Sequence, residues 1–225
     1  AASAAQWYRD KLALYGLTVR EDAWSEDVAG LGRVELRNLA TVVPGTLDET
    51  IVFVAHRDNN GLSAGANSDA SGTAALVELA RAYATAGTTE SARTPLHTLV
   101  FLSADGGAYG SLGVARFAQH SPLARRAVAL VSLDGIAGSA EPRLELGGLG
   151  AHSPPPALVR TADARVAVES GNAPAHPGLL DQIVSLGLPF GFGAQAPALG
   201  GGIPAVRITT AVPPCSTAPL PPARA

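Results

Sequence analysis

The chain has no methionine, one cysteine, one lysine and few aromatic residues, and each shortage closes off a class of protein. A lone thiol, Cys215, excludes an intramolecular disulfide and any cysteine-built metal site. Set in PPCSTAPLPP, it reads as a free thiol on a loop. Sixteen cationic side chains against 19 acidic ones give a net charge of −3, with no basic block able to neutralise phosphates. Nucleic acid is therefore not an expected partner. Arginine supplies 15 of those 16 cations, which points to genome composition rather than to function. Aromatics make up only 5% of a chain that is 47% hydrophobic, so the core must be built from Ala, Val and Leu in close backbone contact. At 225 residues there is material for one medium domain with a large core.

Also missing is a charged-then-apolar leader. The chain starts AASAAQ, which suggests a processed or excised piece with its signal or anchor outside it. The one long uncharged run, 184–206, holds six glycines and three prolines. These would break a lipid-exposed helix repeatedly, so no membrane-spanning segment is expected. That run is expected to be a buried irregular loop entering a strand.

What is present is regular. SAAQWYRDKLALYG (3–16) places apolar residues on one helical face and stops at Gly16. LTVREDAW and RVELRNLATVV alternate as half-buried strands do, and PGT (44–46) is a turn. TIVFVAH (50–56), TPLHTLVFL and AVALVSLD (127–134) are apolar runs of the kind buried on both faces. Helical patterns fall between them at 72–87 and 114–126. Two more follow, in PPPALVRTADAR and PGLLDQIVSLG, before a last strand in IPAVRITT. Buried strands alternating with helices predict a three-layer α/β/α sandwich with a mixed, mainly parallel central sheet. A single domain over 1–212 and a proline-rich tail or linker over 213–225 are expected. In such sheets ligands sit beyond the carboxyl ends of the central strands, here 56–60, 103–107 and 134–138.

Those strand ends carry AHRD (55–58), SADGGAYGSLG (103–113) and SLDG (132–135). With GANSDASG (65–72) and GAQAPALGGGIPA (193–205) they match one family in order and spacing. Over roughly residues 35–210 the chain resembles the M28 zinc aminopeptidases. Their pattern is H-x-D, G-A-x-D-x-A-S-G, Glu-Glu before x-G-L-x-G, Leu-Asp, and S-D-H seven residues before G-[IF]-P. The resemblance implies the zinc-exopeptidase fold. It also implies a site in which two zinc ions share a carboxylate and a glutamate takes a proton from the water between them.

Carried over by position, the resemblance puts His56 and Asp134 at metal-ligand positions and Asp58 where a carboxylate would orient His56. The bridging carboxylate falls on Ser68, the glutamate base on Gly107, the adjacent glutamate ligand on Ala108 and the second imidazole on Gln195. Ser, Gly and Ala cannot supply what these positions need, and a neutral amide is a poor zinc ligand. No resident metal is therefore expected; His56 and Asp134 are the remaining weak candidates. Asp69 is expected to cap the following helix and Asp105 to close a turn onto Gly106 and Gly107. His97, His120, His152 and His176 read as surface or capped histidines, and Tyr109 as a core residue, with a place lining the cleft as the alternative.

The resemblance thus implies a catalytically inactive M28-like domain that binds, scaffolds or regulates. Its protein or peptide partner is not identified. By analogy with non-hydrolytic relatives of this fold, it would be the extracytoplasmic part of a membrane protein. The alternative is a hydrolase with one weakly bound zinc on His56, Asp134 and Asp69, using Asp105 as base.

Overall fold

The computed structural model describes residues 2–59, 65–86, 94–149, 152–176, 178 and 193–211. Seven strands form one sheet: β1 (Val19–Val28), β2 (Gly32–Val43), β3 (Leu47–His56), β4 (His97–Ala104), β5 (Ala127–Leu133), β6 (Arg143–Glu145) and β7 (Ala205–Thr209). Their spatial order is β1-β2-β4-β3-β5-β7-β6. The central block β4-β3-β5-β7 is parallel, while β1, β2 and β6 join antiparallel at the flanks. This is the mixed, mainly parallel sheet that the sequence pattern predicts.

Helices cover both faces because the central strands are apolar on both. In β4, Val100, Leu102 and Ala104 join one core, and Leu99 and Phe101, offset by one residue, join the other. Helix α1 (Ala2–Ala13) and helix α2 (Ser71–Ala86) lie on the Phe101 side, bringing Tyr8, Leu12, Leu76 and Ala80. Tyr8 is fully buried and donates its hydroxyl to the Phe101 carbonyl at 3.2 Å, and burial pushes its pKa up. The opposite side receives Val114 and Phe117 from α3 (Leu112–His120). A short helix, α5 (Gln195–Gly200), adds Ala198 and Leu199 to that side. Helix α4 (Pro156–Ser170) opens on its prolines as expected and buries no residue fully.

Two expectations change. The helix expected over 114–126 starts earlier and stops at His120, because Pro122 forces Ser121 into extended backbone (ψ 130°). A short 3-10 turn, Ala124–Arg126, then leads into β5. In 193–206, an irregular loop was expected, but Gln195–Leu199 form a buried helical turn. Pro197 is tolerated there because first-turn N–H groups lack intrahelical partners anyway. The helix expected over PGLLDQIVSLG, residues 184–192, Cys215 and the proline-rich tail lie outside the described residues. Among the described residues no helix is long and apolar enough to cross a membrane.

Candidate functional site

Parallel register assembles the site. β3 ends on His56, β5 stops one residue before Asp134, and β4 stops one residue before Asp105. Val54 pairs with Ser132 and His56 with Ala104, so the imidazole and the Asp134 carboxylate emerge side by side. His56 Nε2 lies 3.4 Å from Asp134 Oδ1. Its Nδ1 lies 3.2 Å from the Asp58 carbonyl oxygen, 3.5 Å from Asp69 Oδ1 and 3.8 Å from Asp58 Oδ1.

The Asp58 carboxylate has another task than orienting His56. It accepts the amide N–H of Gly107 at 2.7 Å and that of Ala108 at 3.0 Å, pinning the loop after β4. The Asp58 carbonyl, rather than its carboxylate, is the closest oxygen to the ring. Asp69 also departs from expectation. It lies inside a π turn, Ala66–Ala70, and is buried against His56 instead of capping α2. Desolvation raises its pKa above the usual 3.8, against a Ser68 hydrogen bond and the neighbouring imidazole, which lower it. The turn is positioned by Gly72, where any Cβ would come within 2.0 Å of the Leu133 carbonyl oxygen. Only glycine lets α2 start so close to the end of β5.

Asp105 sits away from His56, in a buried ion pair with Arg57 at 2.8 Å. It accepts the Arg37 amide at 3.2 Å and, as expected of a turn residue, the Gly106 amide at 3.2 Å. The Gly107 amide goes to Asp58 instead. Arg57 also donates to the Ser103 and Arg37 carbonyls. Burial lowers its pKa, while Asp105 and Asp58 raise it. Asp105 is thus committed to a structural pair and not free to act as a base on the His56 side.

Ser68 is exposed on the wall of a cleft of 470 Å³ that His56, Asn67, Gly135 and Arg207 also line. Gln195 is buried, and its amide nitrogen donates to the Gly147 carbonyl at 3.3 Å. Ala108 is exposed. At Gly107 a Cβ would stand 2.4 Å from both Cβ and Cγ of His56. The imidazole is packed onto the Gly107 backbone, in the space a side chain there would need.

The remaining histidines stay apart from this cluster: His97 faces Glu49, His176 lies 2.9 Å from Asp163, His152 is near the Leu149 carbonyl, and His120 ends α3. Tyr109 is half-buried and belongs to neither core cluster, contrary to expectation. Sequence reasoning missed Arg57, Arg143, Glu145 and Arg207. A usable signal existed for two of them: a charged residue inside the runs AHRD and AVRIT must find a partner once its strand is buried.

A two-ion centre does not fit these residues. Of the five ligand positions, Ser68, Ala108 and Gln195 offer no imidazole or carboxylate, and catalytic zinc takes about three protein ligands. Among the described residues no group of three or more His, Cys, Asp or Glu is arranged to hold a metal ion.

An α/β/α sandwich with an H-x-D strand end, an A-S-G helix start and a strand ending in Leu-Asp defines a zinc-exopeptidase-like domain. The M28 peptidase family profile matches residues 38–178, and the chain belongs to peptidase family M28. No curated protein sequence matches the chain. Among solved structures it resembles Porphyromonas gingivalis glutaminyl cyclase, with 18% identity over 91% of this chain and 72% of that one, at a TM-score of 0.66. A Zn-dependent exopeptidase from Parabacteroides distasonis is 15% identical over 96% and 78%, at 0.61. A Legionella pneumophila aminopeptidase is 17% identical over 93% and 53%, at 0.66. At such identities the likeness establishes the fold alone.

Proposed function

We propose that this M28 domain does not hydrolyse peptides and works instead by binding, as a scaffold or regulator for a protein or peptide partner. The observation that carries the reading is the packing of His56 onto Gly107. Where the family pattern has its glutamate base, this chain has neither a carboxylate nor the room for one beside the imidazole. The missing donors at Ser68, Ala108 and Gln195 support the same reading, since a base needs an activated water to act on. The reading also includes an extracytoplasmic location within a membrane assembly, which rests on analogy with non-hydrolytic relatives and is checked by cell fractionation.

The neighbours supply the assay, because they include glutaminyl cyclases and aminopeptidases. The purified chain, with and without added zinc, is offered aminoacyl and N-terminal glutaminyl substrates. The expected result is no turnover above a zinc-only blank. Chelator-sensitive release of an amino acid from the aminoacyl substrate would instead support the hydrolase with a rearranged single-zinc site. Cyclisation of the glutaminyl substrate with loss of ammonia would equally overturn the binding role.

A further inference from the structure

We infer that the guanidinium of Arg207 stands in for the cation this centre no longer has the donors to hold, and that it closes the centre to divalent metal. The inference rests on the reading of lost ligands above and adds what replaced them.

Asp134 is 2% exposed, and a buried carboxylate needs a compensating charge or hydrogen bonds. Arg207 supplies the charge from the neighbouring strand, where β7 pairs in parallel with β5 and Ser132 is opposite Arg207. Its Nε lies 3.4 Å from Asp134 Oδ2, and Ser132 Oγ donates to the same oxygen at 3.1 Å. The other carboxylate oxygen faces His56 Nε2. On its far side Arg207 donates to Glu145 Oε2 at 2.7 Å, across the antiparallel pair that β6 makes with β7. Arg143 donates to Glu145 Oε1 at 2.8 Å. Charges therefore alternate along one line: Arg143, Glu145, Arg207, Asp134.

This arrangement is chemically unlike a metal site in one decisive respect. A metal must collect about three ligands, whereas a guanidinium brings its charge and five N–H groups on one side chain and does not lose its proton in a protein. An ion on His56 and Asp134 would have to share Asp134 with a fixed like charge. The Arg207 side chain, 19% exposed, also lines the cleft that an ion or substrate would enter. A charged residue within the run AVRIT is explained by this role; core packing alone would favour an apolar one.

The test compares wild type with Arg207→Gln and Arg207→Lys, each melted in chelator and in zinc, with zinc content measured after gel filtration. Wild type is expected to retain no zinc and to melt at the same temperature in both buffers. Arg207→Gln should melt roughly 5 °C lower in chelator, because Asp134 loses its nearest cation while Glu145 keeps Arg143. It should regain part of that loss in excess zinc, where an ion held weakly by His56 and Asp134 replaces the charge without surviving gel filtration. Arg207→Lys, which keeps the charge, should remain insensitive to zinc. If the Gln variant does not fold, the Lys variant carries the test, and its failure to fold would overturn charge as the reason. Zinc retained by wild type, or a Gln variant that behaves as wild type in both buffers, overturns the inference. Hydrolysis measured on the same samples separates the two layers. Zinc retained by wild type without turnover sinks only the role of Arg207, whereas turnover sinks the non-hydrolytic reading beneath it.

Discussion

Beneath the loop at 105–108, Arg57 is buried in an ion pair with Asp105 and donates to two carbonyls, while both oxygens of Asp58 hold loop amides. On the His56 side of the same loop, Gly107 and Ala108 carry no functional group, and the His56 ring rests on the Gly107 backbone. The two sides are one to three residues apart in sequence. The difference teaches that positioning and chemistry are separable in this fold. The underside cannot change without leaving buried charges and amides unpaired. On the other side Gly107 is half-buried and Ala108 exposed, and neither carries a side chain that pairs a buried charge, so a lost carboxylate there costs the fold little.

The sharpest way to break this comparison is Arg57→Met, which strands the Asp105 carboxylate beneath the loop. Removing one partner of a buried pair costs about 3–5 kcal/mol. The melting temperature should fall by roughly 10 °C for a domain of this size. Gly107→Ala comes next and tests whether the imidazole fills the place of the lost side chain. Overpacking of this kind costs about 1–3 kcal/mol. The His56 ring resonances should shift in NMR spectra, whereas Ala108→Ser, at an exposed site, should change stability by less than about 0.5 kcal/mol.

Ser111→Gly acts at the far end of the loop. Ser111 is buried and has φ 59°, the one positive φ on a non-glycine residue among those described. Relief of that backbone strain, less the added freedom of the unfolded chain, should stabilise by about 0.5–1 kcal/mol in chemical denaturation. The smallest effect belongs to Asp69→Asn. With its pKa raised in the fold, Asp69 favours the folded state below pH 3.8 and subtracts stability as pH rises through the folded value. The variant should therefore melt slightly above wild type at pH 8, and the gap should close on acidification toward pH 4.

The fold was legible because its signals are local and repeated. Apolar runs of seven to nine residues alternate with amphipathic helices, and Gly16 and Gly72 punctuate them; the helical pattern reads on through the stop before Pro122. What remained hidden depended on pairing between strands. Three-residue β6 is too short to show a period, yet it supplies Glu145 to Arg207. The ligand positions were legible as absences, since Ser68, Gly107, Ala108 and Gln195 stand in recognisable frames. What the survivors do instead was not legible. Asp69 reads as a cap in sequence, but the π turn rotates it onto His56. Asp58 reads as a partner of the imidazole and instead holds two amides, because β4 ends level with it and presents them there.

Anomalous X-ray diffraction at the zinc absorption edge, on crystals grown in excess zinc, tests the central claim most directly. The account predicts no anomalous peak within bonding distance of His56 Nε2 and Asp134, with Arg207 still paired to that carboxylate. A well-occupied peak bridging the imidazole and Asp134 would contradict it.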